Sequence, residues 1–183
     1  MPQIRKPPTR GEMPSCTRLM PVQTVDAEKR TADLVWTTGA RVRRYDWWND
    51  RYYWEELSTD EGACDLSRLQ AGAPLLNTHW RYSLGDVIGV VESASIAGKE
   101  GRAVVRFSER DDVEPIFRDV QAGIVRNVSV GYAITEMDRI PPSDAEPLWI
   151  YRAVRWQPFE LSLVPVGADA GAGVRSASGE LQR

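Results

Sequence analysis

The sequence predicts an α+β fold that is mostly β. Short segments of alternating apolar and polar residues recur along the chain, bounded by Gly, Pro, Asn and Asp. The clearest helical period lies between Ser108 and Gly123, where Val113, Ile116, Phe117 and Val120 fall at i, i+3, i+4 and i+7. A composition of 42% hydrophobic and 27% charged residues over 183 positions is that of one globular domain with room for tails.

Residues 1–31 hold Pro2, Pro7, Pro8, Pro14 and Pro21 among charges, and this segment reads as a flexible proline-rich arm. The folded part is expected over 32–166. Asp33–Thr38 and Arg41–Asp46 read as two strands around a turn at Gly39, and Arg51–Leu57 as a third strand after Asn49-Asp50. Asp65–Gly72 resembles a short helix closed by glycine. Ala73–Trp80 follows as an apolar strand ending on Asn77-Thr78-His79. Val87–Ala94 and Arg102–Phe107 form a strand pair, with Gly89 marking a bulge or a close backbone approach. Ser108 is the expected N-cap of the helix, with Glu109, Asp111 and Asp112 in its first turn and Pro115 tolerated near its start. The strand Gly123–Tyr132 leaves directly from that helix. Leu148–Val154 and Trp156–Val164 are the last two strands, and the Ala/Gly/Ser-rich stretch 167–183 reads as a flexible tail or linker.

Composition and motifs exclude several function classes. A net charge of −3, from 23 basic and 26 acidic residues, gives no electrostatic case for nucleic-acid binding. No apolar run approaches the ~20 residues that cross a bilayer, so no membrane is expected. Met1–Pro8 has no hydrophobic region behind its basic residues, so no signal peptide and a cytoplasmic location are expected. One histidine, two cysteines and scattered acids supply no zinc shell, and no phosphate-binding loop is present; no cofactor is expected. Cys64, among Asp60, Glu61 and Asp65, reads as an inert thiol.

What remains is a serine and a histidine. His79 is the single imidazole, and any neutral-pH proton transfer by an unperturbed side chain must use it. Ser129 lies in the alternating run Asn127-Val128-Ser129-Val130-Gly131, sharing a face with Asn127 and Gly131 and, with the valines inward, turned to a groove. Gly131 would let a substrate backbone approach. A third group would have to hold the imidazole. Glu160, alone in the apolar strand Trp156–Val164, is the first candidate, with Asp86 and Asp112 as alternatives. Ser162 competes with Ser129 as nucleophile.

Six segments in order then suggest a family: Thr38–Val42, Tyr53–Leu57, Pro74–His79, Asp86–Val91, Gly123–Tyr132 and Glu160–Pro165. Together they resemble the prohead maturation proteases of tailed bacteriophages, serine peptidases related in fold to the herpesvirus assembly proteases. The resemblance covers about residues 32–170. It implies a small antiparallel β-barrel flanked by a few helices. It also implies a serine endopeptidase with His79, Ser129 and Glu160 as catalytic residues. Its partners would be scaffold and major capsid proteins as substrates, inside the assembling prohead in the host cytoplasm, with self-cleavage of terminal segments. Homo-oligomers fit such a setting. The rival reading is a non-catalytic scaffolding or structural capsid module of the same fold. A third is a carbohydrate- or peptide-binding domain built on Trp47, Trp48, Tyr52 and Trp54.

Overall fold

The computed structural model describes residues 25–168 and 173–174. Ten strands form one continuous sheet: β1 (Val25–Asp26), β2 (Thr31–Thr37), β3 (Val42–Asp46), β4 (Arg51–Leu57), β5 (Pro74–Asn77), β6 (Val87–Ala97), β7 (Glu100–Phe107), β8 (Asn127–Ile140), β9 (Trp149–Val164) and β10 (Gly173–Val174). Two helices, α1 (Ser67–Gln70) and α2 (Glu114–Gln121), pack beside it. The strand order is β3-β4-β9-β5-β6-β7-β2-β10-β8, with β1 added to β2 and β9 also paired to β8.

The fold is therefore α+β and mostly β, as the alternation predicts, but the expected small antiparallel barrel is corrected on two points. The sheet curls into a half-barrel. Its strands β2 and β8 are joined only through the two residues of β10, where Gly173 faces Val35 on one side and Asn127 on the other. And β9 pairs with β4 and β5 in parallel.

The long strand β9 organises the sheet. One edge of it pairs with β8 from Ile150 to Val164, while the other receives β4 along Trp149–Ala153 and β5 along Leu161–Leu163. The two strands expected at Leu148–Val154 and Trp156–Val164 are thus one, continued through register shifts opposite Tyr132 and Glu136. Nor do β2 and β3 pair with each other, although they are neighbours in sequence: β2 pairs with β7, and β3 with β4.

The core lies inside the curl, on Trp36, Leu75, Ile88, Val105, Phe107, Val128, Trp156 and Leu161. Trp156 meets Trp36 edge-on at 6.0 Å and donates from Nε1 to the Ser58 carbonyl at 2.8 Å. A Cβ at Gly89 would lie 2.4 Å from the Arg106 carbonyl oxygen, which accounts for a glycine inside a strand. Gly89→Ala is accordingly expected to destabilise the fold by about 2–3 kcal/mol through displaced β6–β7 pairing, read as a lower urea midpoint.

Helix α2 starts later than expected. Val113, not Ser108, is its N-cap, and the Ser108 hydroxyl instead accepts from the Arg110 amide. Pro115 fixes the start, since its ring fits only the first turn. The expected arm also shortens. Residues 1–24 lie outside the described residues, whereas Val25 pairs with Ala32 and Asp26 closes the turn by accepting from the Glu28 and Lys29 amides. Of the expected tail, 169–172 and 175–183 lie outside the described residues, and Gly173–Val174 is strand β10.

Candidate functional site

The site forms where the end of β5 crosses the β8–β9 pair. After Asn77 the chain takes two consecutive left-handed residues, Thr78 (φ 56°) and His79 (φ 62°). Histidine is among the few non-glycine residues that enter that region readily, but a β-branched threonine there is costly. Three hydrogen bonds hold the turn: the Thr78 amide donates to the Leu163 carbonyl at 2.9 Å, the Trp80 amide to Asn77 at 3.1 Å, and the His79 amide to Ser162 Oγ at 3.1 Å. Strain held in this way concentrates at functional sites.

The imidazole meets Glu160. His79 Nδ1 donates to Glu160 Oε1 at 2.6 Å, and Ser162 Oγ donates to Glu160 Oε2 at 2.7 Å. These contacts, with the His79 amide on Ser162, close a ring of three residues. The Glu160 side chain is 4% exposed and that of His79 43%. The carboxylate is thus buried and fully partnered, and with Nδ1 as donor the neutral ring carries its lone pair on Nε2. Because the chain has one histidine, its imidazole gives a single set of ring nitrogen signals. We expect a pyrrole-type Nδ1 and a pyridine-type Nε2 in the neutral form, read by long-range proton–nitrogen NMR; Glu160→Ala should leave a mixture of tautomers.

Ser129 stands opposite Ser162 in the β8–β9 register, and Gly131 opposite Glu160. Directly opposed residues project to the same face, so Ser129 shares the face of the Glu160–Ser162 pair. Its hydroxyl has no hydrogen-bond partner among the described residues, and none runs from it to His79. Gly131 has a different use from the one expected. A Cβ there would lie 2.2 Å from Glu160 Oε1, so the room the glycine provides is filled by Glu160 rather than by a substrate.

The other candidates lie elsewhere or are committed. Ser162 is buried with its proton on Glu160. Asp86 accepts from the Tyr82 and Ser83 amides, and Asp112 pairs with Arg110. Burial, with Asp65 beside it, pushes the Cys64 thiol up to about 12. In a Cys16→Ser background, native Cys64 should react with iodoacetamide at pH 8 about a thousandfold more slowly than in the unfolded chain, measured by mass. Among the described residues no group of three or more His, Cys, Asp or Glu side chains is placed to hold a metal ion.

The aromatic segment divides between core and surface. Trp36 is core, Tyr53 stacks on Tyr151 at 4.3 Å, and Tyr45 meets Trp47 and Tyr52 edge-on. Trp47 and Trp48 project from the β3–β4 turn, 84% and 96% exposed. Sequence reasoning missed two features. The exposed Trp80, Tyr82 and Leu84 stand beside His79 on a loop braced by Asp86 and by Arg110, which donates to the Leu84 and Gly85 carbonyls. Tyr132 donates to Glu55 and takes a 3.5 Å contact from Arg44, around a cavity of about 40 Å³. Burial and Glu55 push its phenol up to about 12. The Arg44 and Glu55 charges on facing strands were the available signal.

No protein-family model and no solved structure matches the chain. A major capsid protein of Halomonas phage phiHAP-1 is 46% identical over 121 residues, covering 66% of this chain and 20% of that protein. A capsid polyprotein of Pseudomonas phage PAJU2 is 28% identical over 104 residues, covering 53% of this chain and 15% of that protein. Both relatives carry capsid names. The chain spans a fifth or less of the length of either one.

These names overturn two expectations. The resemblance to the prohead maturation proteases does not hold as an assignment of family. With it falls the reading of the chain as an endopeptidase that processes scaffold and capsid proteins and cleaves itself. The physical reason is that short strand motifs around a serine and a histidine recur in many β-rich chains, and neither such motifs nor a fold carries a role with it.

Proposed function

We propose that the chain is a structural module of a bacteriophage capsid polypeptide, at work in the assembling capsid within the host cell. The observation that carries this reading is the 46% identity to a major capsid protein over two thirds of the chain. The architecture supports it. A continuous sheet with a long central strand gives a stiff body, and the β3–β4 hairpin carries exposed Trp47 and Trp48 away from that body, as an interface anchor would be carried. Its partners on this reading are other copies of the same capsid polypeptide. The test is peptide mass spectrometry of isolated proheads. Peptides across 25–168 at a stoichiometry near that of the capsid subunit are expected, and their absence from proheads overturns the proposal.

A second reading, that the module is also an enzyme, has its own observation behind it. The buried Glu160 holds His79 Nδ1, and Ser129 lies unpartnered on the same face. On this reading Nε2 takes the Ser129 proton as Oγ attacks an acyl carbon, and returns it to the leaving group before water releases the acyl group. A fluorophosphonate probe should then label Ser129, with labelling lost in Ser129→Ala and in His79→Gln. Equal labelling of wild type and Ser129→Ala excludes this reading.

A further inference from the structure

Two uncommitted cations share one aromatic ring beside His79. In the β8–β9 register Gly131 faces Glu160 and Tyr132 faces Pro158, so Phe159 is left without a partner on β8. A bulge of this kind re-aims a side chain. The half-buried Phe159 ring takes two guanidinium groups. Arg68 of α1 and Arg81 of the loop after β5 each place Cζ 5.6 Å from its centre. Both arginines are exposed, and neither has an ion pair among the described residues.

The carboxylates nearest to them in sequence are committed elsewhere. Asp65 accepts from the Ser67 amide and from Gln157, and Asp86 from the Tyr82 and Ser83 amides. Glu160 accepts from His79 and Ser162. Two like charges at one ring repel each other, and no acid among the described residues relieves them. A ring beneath a guanidinium restrains its plane yet leaves its N–H edge free, and that edge can grip a carboxylate in two parallel bonds.

An apolar half lies on the same loop. Trp80 and Tyr82, on either side of Arg81 in the chain, are exposed and meet edge-on at 5.8 Å, and Leu84 is exposed beyond them. The loop is braced, because Asp86 holds two of its amides and Arg110 donates to the Leu84 and Gly85 carbonyls. Aromatic area held in place beside a free guanidinium has the makeup of an interface anchor, since little ordering remains to be done on binding.

We propose that this patch binds an extended acidic segment of a partner polypeptide, with one carboxylate between Arg68 and Arg81 and an apolar side chain on Trp80 and Tyr82. In an extended segment residues i and i+2 share a face, about 7 Å apart at about 3.3 Å per residue, so an acid and an apolar residue at that spacing reach both halves together. A net charge of −3 favours a short acidic run over a polyanion such as nucleic acid. Arg81 follows His79 by two residues and Phe159 precedes Glu160 by one, so the bound segment lies against the His79–Glu160 site whether or not that site reacts.

The test uses the full chain and a fluorescein-labelled peptide, Gly-Asp-Ser-Leu-Ser-Asp-Gly, read by fluorescence polarisation. Binding is expected to weaken with added salt, and by about tenfold or more in Arg68→Glu and in Arg81→Glu. Trp80→Ala should weaken it about fivefold. Arg43→Glu is the control, because Arg43 is exposed, has no ion pair among the described residues and lies over Tyr52 on the β3–β4 hairpin; it should leave binding unchanged. The indole N–H signal of Trp80, assigned by its loss in Trp80→Phe, should shift as peptide is added. No binding, or equal binding of a version with Lys for both Asp, overturns the proposal. Equal binding of a version with Ser for Leu overturns its apolar half and so the proposal as stated. Tighter binding of a single-stranded oligonucleotide, lost in the same arginine variants, would give the patch to nucleic acid and overturn it. A chain that sediments as a dimer, and as a monomer only in Arg81→Glu, would make a second copy the occupant and overturn it equally. Failure here leaves the capsid proposal standing, because that reading rests on likeness over the chain and not on this patch.

Discussion

Gly131→Ala is expected to destabilise the protein by about 2–4 kcal/mol and to break the contact between His79 and Glu160. The added methyl would sit 2.2 Å from Oε1, 2.7 Å from Cδ and 2.8 Å from Cγ of Glu160. These atoms belong to a side chain that could swing away on a surface. Here the carboxylate is buried and holds two donors, so moving it leaves Ser162 Oγ and His79 Nδ1 without their acceptor, at a cost of about 1–3 kcal/mol for each buried group. Urea unfolding gives the stability, and the His79 ring nitrogens report the lost contact. A double-mutant cycle with Glu160→Ala isolates the cause: with the carboxylate gone the methyl has room, so the cost of Gly131→Ala should fall by more than half. An unchanged cost in that background would place the strain in the backbone of β8 instead. Gly98→Ala is the contrasting case. Nothing lies within 4 Å of a Cβ there, so only its left-handed φ of 62° is strained, at about 1 kcal/mol.

Trp156→Ala should cost more, about 3–5 kcal/mol, the range for truncating a large aromatic in a packed core. Trp156 is 2% exposed, meets Trp36 and Tyr132 edge-on, and anchors the stretch before α1 through Ser58, Ala63 and Asp65. Its removal opens a cavity, leaves the Ser58 carbonyl without its indole donor, and loosens the strand that carries Glu160 four residues on. Trp48→Ala, at 96% exposure, should shift stability by less than about 0.5 kcal/mol. Equal effects of the two substitutions would mean that the core is centred elsewhere.

Much of the local structure was legible because alternation and turn residues act over a few positions. Arg51–Leu57 is a strand as read, the 87–107 pair is a hairpin, and Phe117 and Val120 turn the α2 face inward. Glu160 stood out as a carboxylate in an apolar strand because a buried charge demands partners, and two are present. What could not be read was pairing. Sequence neighbours β2 and β3 part company, while β4 and β5 both reach β9 across long loops, and such choices depend on which faces bury together. The left-handed pair Thr78–His79 was equally hidden, since a β-branched threonine does not signal that conformation. Ser108 misled as an N-cap because its local preference lost to the constraint of Pro115.

By itself the sequence determined a mostly β, α+β domain, a single imidazole, and a lone carboxylate in an apolar strand, because composition and period are properties of the chain alone. Only the tertiary structure decided that this imidazole and this carboxylate meet, that Ser162 supports them, and that Gly131 makes the room. Residues 81 positions apart are joined only through the register of β5, β8 and β9. That register is set by which apolar faces can be buried at once, a condition on the whole chain that no local motif contains.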